Sequence, residues 1–392
     1  MSERLVESEH RVTPLELFFD LVFVFGFTQV TTLLHEDPSW GGVGRSVLVL
    51  TALWWGWASY AWLTNSVDAE DGLVLGVMLV AIAAMFIGAL AVPEAFGEHR
   101  LIFSVAFIVV LLAFVGLFAL AGKAHADLLR AVLQMGRITL AGALLIFAAG
   151  FVASGIRPVL WLAGLAVGLL GPLRVEVGAW RVHPAHFAER HGLIVIIAIG
   201  EALVAIGFGA RATALGAVVI VAALLGLIVA ASLWLAYFDF FSRGMQQLVV
   251  GRRGEQRVAL ARDVYTYLHL PMIVGIVFFA FGMRAVLADV HGELRAPAAF
   301  CLTAGSALYL LSYVVLRWRV SHTLSRGRSI ATILLLALFP LAVVLPAFAA
   351  LAFVSAVWVG LHAYELIFWR DARGRRRAEA ITDDTRVDAL PG

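Results

Sequence analysis

Cysteine and lysine are almost absent from this chain: Cys301 and Lys123 are the only examples among 392 residues. A single cysteine excludes an intrachain disulfide and any cysteine-built metal cluster. Charge is scarce too, at 14% of residues, against about 25% in soluble domains. The net charge is +2, and the basic residues sit in short loops rather than along one stripe, which argues against a nucleic-acid partner. Long polar stretches are confined to 242–262 and 370–392.

What fills the chain instead is apolar. Hydrophobic residues make up 62% and the mean hydropathy is +0.93. Folding around one soluble core would leave more apolar surface in water than water tolerates. Arginine supplies 28 of the 29 basic residues, which together with the Ala, Gly, Leu and Val richness suggests a GC-rich bacterial genome. The polar start MSERLVESEHR runs into an apolar stretch with no clear small-x-small cleavage site before Leu34, so it reads as a retained first span.

A membrane crossing needs about 20 mostly apolar residues. Such runs predict helices at 14–34, 43–65, 72–92, 99–121, 130–152, 156–174, 187–209, 213–241, 263–288, 297–317, 329–348 and 350–369. In the last pair, Pro340 and Pro346 fit either kinks or a turn. Loops and flanks on the N-terminal side carry 22 Lys and Arg residues and the opposite side 6, with Arg137 inside a span. That bias puts both termini in the cytoplasm of a multi-pass protein of the bacterial inner membrane. Shifting the chain by 172 residues aligns Leu21-Val-Phe-Val-Phe with Leu193-Ile-Val-Ile-Ile, Gln29 with Glu201 and Trp62-Leu63 with Trp234-Leu235. The expectation is therefore an all-α, polytopic transmembrane helix bundle of about 12 spans with a 6+6 parallel internal repeat. Residues 1–186 would form the first half, 187–370 the second and 371–392 a polar cytoplasmic tail.

Ionisable groups inside spans cost at least about 2.5–3.5 kcal/mol each at mid-bilayer unless paired or wet. Thr13-Pro14 reads as a helix start, which sets Glu16 and Asp20 four apart on one face. Glu16 also fits an interfacial residue favoured by the helix dipole. The seventh segment holds His183, His186, Glu189, Arg190 and His191, with Glu201 deep in its apolar run. Glu201 fits a proton relay, or equally a structural partner for a basic group elsewhere such as Arg137. His186 and His191 are five apart on different faces and no HExxH pattern occurs, so no metal site and no cofactor are expected. Asp239 and His269 are secondary candidates that also suit packing, His362 and Glu365 are spaced to pair, and Trp54-Trp55-Gly56-Trp57 suits helix packing or an interface.

Two segments carry a family resemblance: Arg11-Val-Thr-Pro-Leu-Glu-Leu-Phe-Phe-Asp-Leu-Val-Phe-Val-Phe-Gly-Phe-Thr-Gln, and His186-Phe-Ala-Glu-Arg-His-Gly-Leu-Ile-Val-Ile-Ile-Ala-Ile-Gly-Glu. Their order and separation, with Trp234-Leu-Ala-Tyr-Phe-Asp239 further on, resemble the bacterial low-temperature-requirement A membrane proteins from about Arg11 to Trp369. The resemblance implies an inner-membrane, multi-span protein linked by name to growth in the cold. It implies no settled substrate, cofactor or catalytic residue, and directs attention to Glu16, Asp20, Gln29, Glu189, Arg190, His191 and Glu201.

Two functions fit these features. One is a secondary transporter or permeation protein for a small molecule or ion, proton-coupled through Asp20 and Glu201 with Arg190 as counter-charge or anion contact. The other is an integral membrane enzyme acting on a lipid or isoprenoid-like substrate at the cytoplasmic interface. There Glu16, Asp20 and the His183–His191 segment would be its acid–base groups.

Overall fold

The computed structural model describes residues 12–66, 72–122, 126–173, 180, 182–211, 214–242 and 248–387. Among these the fold is helical, with one isolated bridge between Glu293 and Pro346. The first half comprises α1 (Pro14–Glu36), α2 (Trp40–Thr64), α3 (Gly72–Leu90), α4 (Arg100–Gly122), α5 (Ala126–Ala148) and α6 (Arg157–Leu170). The second begins with α7 (Pro184–Ala210) and α8 (Ala217–Leu235), which runs into a π-helical stretch at Ala236–Ser242. A short α9 (Gly254–Ala261) leads through a second π-helical stretch, Arg262–Leu268, into α10 (His269–Ala288). Then follow α11 (Ala296–Ser321), α12 (Arg326–Ala337), α13 (Phe339–Val344) and α14 (Ala347–Val387).

Each apolar run of the sequence falls on helix, but the number of candidate crossings is lower than the 12 expected. Ten helical stretches among the described residues are long and apolar enough to cross a membrane. The shortfall lies at α2 and α6. Helix α2 has the length, at 25 residues, but its tryptophans, glycines and hydroxyl residues dilute its hydropathy, and it is buried almost throughout from Val49 to Asn65. The apolar helix at Arg157–Leu173 is short; at about 1.5 Å per residue it covers roughly 25 Å of a core of about 30 Å. No internal repeat is established by the fold.

The two prolines near the end behave differently. Leu338 keeps helical geometry, so the chain passes Pro340 as one kinked segment. Leu345 is extended, and the N–H groups of Ala347 and Phe348 donate to the carbonyls of Gly292 and Val290 at 2.8 and 3.0 Å. Pro346 is thus a turn tied to the loop before α11. Beyond it α14 continues as helix to Val387, past the end of its apolar run.

Helices α10 and α11 pack on each other as a deeply buried layer. Their backbones meet at glycines: a Cβ on Gly275 would lie 2.6 Å from the Gly305 carbonyl oxygen. Close approach through small residues is what packs helices where lipid removes the hydrophobic drive. Helix α7 lies on α10 and α1 lies on α7, so the α1–α7 seam is near the centre. Leu21, Val80, Leu144, Leu224 and Ile333 point outward, exposed, as a bilayer-facing surface requires.

Candidate functional site

Thr13 caps α1: its hydroxyl accepts from the Glu16 N–H at 3.3 Å, and Glu16 Oε2 accepts from the Thr13 N–H at 2.9 Å. This capping box fixes where α1 starts and turns Glu16 and Asp20 inward. Helix α7 likewise starts at a proline, Pro184, with His183 before it. The two helices then run parallel in one register. Glu16 meets His186, Asp20 meets Arg190 and Thr31 meets Glu201, each pair 170 residues apart.

At the N-terminal end of this seam Arg190 forks between two carboxylates, with Nη1 at 2.8 Å from Glu16 and Nη2 at 2.9 Å from Asp20. His186 Nε2 lies 3.1 Å from Glu16, and Trp57 Nε1 donates to Asp20 at 2.7 Å. The Arg190 guanidinium also sits 5.8 Å from the Trp57 ring centre. Glu16, Asp20, His186 and Arg190 are all buried, at 0–2% exposure. Two carboxylates, one guanidinium and an imidazole are thus gathered away from water, a costly arrangement that the mutual contacts offset.

Deeper along the seam stands Glu201. Its oxygens meet Thr28 Oγ1 at 2.5 Å and Thr31 Oγ1 at 2.7 Å. Each hydroxyl has a second acceptor on its own helix, the Val24 carbonyl for Thr28 and the Thr28 carbonyl for Thr31. A hydroxyl has one proton to give. When Glu201 is ionised both threonines donate to it; when it is protonated it donates to one threonine, which turns to the backbone. Both protonation states therefore keep satisfied hydrogen bonds. Between the two stations the seam is apolar, with Phe23, Phe27, Ile194, Val195 and Ala198 buried. Eight residues separate Asp20 from Thr28, about 12 Å of helix.

Beside the first station lies a histidine–aromatic layer. His191 Nδ1 is 2.8 Å from the Phe187 carbonyl, and its ring packs within 5 Å of Trp57, Tyr265 and His269. His269 Nδ1 reaches the Val264 carbonyl, five residues back in the π-helical turn, at 2.9 Å. Its Nε2 then accepts from the Tyr237 hydroxyl at 2.9 Å. The same turn presents Thr266: its carbonyl accepts from Trp54 Nε1 and its hydroxyl from Trp62 Nε1, both at 2.8 Å.

Several expected positions lie elsewhere. Asp20 and Glu201 belong to separate stations, not one titratable pair. Gln29 is half-buried and is not a partner of Glu201, whose oxygens meet threonines. Arg137 is exposed on α5, which packs against α4 and α6, and so does not pair with Glu201. Glu189 is exposed and accepts from the Val12 N–H at 3.4 Å. Asp239 is exposed on the first π-helical stretch. Glu365 pairs first with Arg328, at 2.7 Å, while His362 is 4.0 Å away. Among the described residues no group of three His, Cys, Asp or Glu side chains converges as metal ligands.

The family model for the bacterial low temperature requirement A protein, LtrA, matches residues 11–363. The chain belongs to the LtrA family. It is a multi-pass membrane protein of a bacterial family, embedded in lipid through about ten candidate spans. A similar chain, described as an uncharacterized protein of Rhizobium meliloti (strain 1021), is 29% identical over 387 residues, covering 91% of this chain and 90% of that one. No solved structure matches. In this LtrA-family chain the sequence motifs hold both stations of the seam. Three participants had weaker signals: Trp57 read as packing, while Thr28 and Thr31 carried no charge to mark them. A carboxylate deep in a span suggests a basic partner, whereas the partners of Glu201 are the hydroxyls of Thr28 and Thr31.

Proposed function

We propose that this LtrA-family protein is a secondary transporter or permeation protein that couples movement of a small solute or ion to protons held on the α1–α7 seam. The observation that carries the reading is the pair of buried ionisable stations, Glu16/Asp20/Arg190/His186 and Glu201/Thr28/Thr31, separated by an apolar layer on one helix pair. Intramembrane ionisable groups arranged in series are what a proton relay through lipid requires.

A 12-crossing, 6+6 plan is part of the proposal. Neighbours recur in both halves: α1–α2, α1–α3, α3–α4, α5–α6 and α2–α6 have counterparts in α7–α8, α7–α10, α10–α11, α12–α14 and α8–α14. That recurrence supports two parallel halves meeting at their first helices, with both termini cytoplasmic as the 22 to 6 arginine and lysine bias implies. The lipid-enzyme reading gains no comparable support, since Glu16 and Asp20 are both engaged by Arg190 in a closed site.

The test is proton flux in reconstituted vesicles across a broad solute panel. One or more solutes should drive proton movement, and Glu201→Gln, which keeps the side-chain volume, should abolish it while protein abundance stays normal. Absence of flux with every solute, or full coupling in Glu201→Gln, would overturn the proposal.

A further inference from the structure

Beyond Thr31 and Glu201 the seam runs on for its last turns, and charge returns there. His35 and Glu36 end α1, Phe208 and Arg211 end α7, and Arg284 lies in the last turns of α10. Gly209 lets α10 close on α7 at this level: a Cβ on it would lie 2.9 Å from the Arg284 carbonyl oxygen. The guanidinium carbons of Arg284 and Arg211 stand 5.7 and 5.8 Å from the centre of the one Phe208 ring. The other half-buried arginines are tied to protein oxygens. Arg45 binds the Asp37 carboxylate and Arg262 that of Asp263, while Arg100, Arg157 and Arg257 bind backbone carbonyls. Among the described residues Arg284 is the one half-buried arginine with no carboxylate or carbonyl partner, and its neighbour Arg211 has none either. A ring face gives a guanidinium about 0.5–2 kcal/mol, and it supplies no counter-charge.

Arg284 is also the cation whose charge acts on Glu201, and it acts on His35 as well. No further ionisable group comes from α8 over Ala217–Leu235 or from α3 over Gly72–Leu90; Arg45 on α2 is taken by Asp37, and Glu36 is exposed without an ion pair. We infer that Arg284 is the docking point for a soluble oxyanion at the far mouth of the seam, and that its binding is coupled to a proton on Glu201. The inference rests on the transporter reading and gives its solute a class. The planar guanidinium fork fits a carboxylate or a phosphate. One positive charge then serves either the ionised Glu201 or the incoming anion, and not both in full. An anion on Arg284 therefore draws a proton onto Glu201, and by reciprocity a protonated Glu201 strengthens anion binding. The two threonine hydroxyls keep Glu201 hydrogen-bonded in either state.

Calorimetric titration of the purified full chain in detergent with sodium acetate, succinate or phosphate, and with glucose as a neutral control, tests the assignment. At least one oxyanion should bind with proton uptake, and about fivefold or more tightly at about pH 6 than at about pH 8. Glu201→Gln should hold it as tightly as the parent does at the acid end, with no dependence on pH. Arg284→Gln should weaken binding about tenfold or more with the Tm unchanged, and Arg284→Lys should recover part of the loss. Glucose should not bind. Absence of oxyanion binding, or binding unchanged in Arg284→Gln, would overturn the inference; so would a pH dependence that survives Glu201→Gln, which would belong to His35. Phosphatidylglycerol retained through Arg284 while no soluble anion binds would make the arginine a headgroup contact, again against the inference. Oxyanion binding with these responses but no solute-driven proton flux would keep the site and sink the transporter reading. Flux driven by a cation or neutral solute without oxyanion binding would do the reverse.

Discussion

Arg190 holds two acids through two different nitrogens, and that fork decides what can replace it. Lysine offers a point charge on a flexible stem and cannot span both carboxylates with the same geometry. Arg190→Met should cost about 3–5 kcal/mol, because it strands two buried carboxylates; Arg190→Lys should cost less but still lower the Tm measured in detergent. Glu16, Asp20, His186, Arg190 and Glu201 were legible in the sequence for a physical reason. A charge inside an apolar run is costly enough to announce itself. Trp57, Thr28 and Thr31 were not, because indoles and hydroxyls sit in membrane helices at little cost. Sequence spacing also gives faces of one helix, whereas the partner of Glu201 lies 170 residues away.

At the scale of elements, helix starts were readable and helix irregularities were not. Thr13-Pro14 and His183-Pro184 mark the beginnings of α1 and α7, each with proline in the first turn and the first also with a capping box. The π-helical turns at Ala236–Ser242 and Arg262–Leu268 left no such trace, since one extra residue in a turn barely disturbs a uniformly apolar or aromatic pattern. Pro340 and Pro346 look alike in sequence; the second becomes a turn only because Ala347 and Phe348 bond to the distant Gly292 and Val290. The seam makes its own prediction. In a double-mutant cycle, Asp20→Asn and Arg190→Met should couple by about 0.5–3 kcal/mol, whereas Asp20→Asn and Glu201→Gln should add within about 0.5 kcal/mol. Thermal unfolding of the five variants (three single, two double) and the parent distinguishes two stations from one.

For the whole molecule, the all-helical membrane class followed from composition and each apolar run became helix, but among the described residues only ten of the twelve meet the length and hydropathy of a crossing. Helix α2 shows why: a buried helix rich in tryptophan can lie at the heart of a membrane protein without the hydropathy of a lipid-facing one. Orientation can be read directly, because the one native thiol, Cys301, is buried. In a Cys301→Ser background, a cysteine at His291 should react with an impermeant maleimide in intact cells. One at Arg252 should react only after permeabilisation, and the reverse pattern would invert the proposed topology. The common offset of the α1–α7 pairings has a mechanical consequence as well. Three contacts cut to one spacing act like the teeth of a key. Sliding either helix by a turn, about 5.4 Å, would unseat all three together. Creep along this joint would therefore break all three contacts at once.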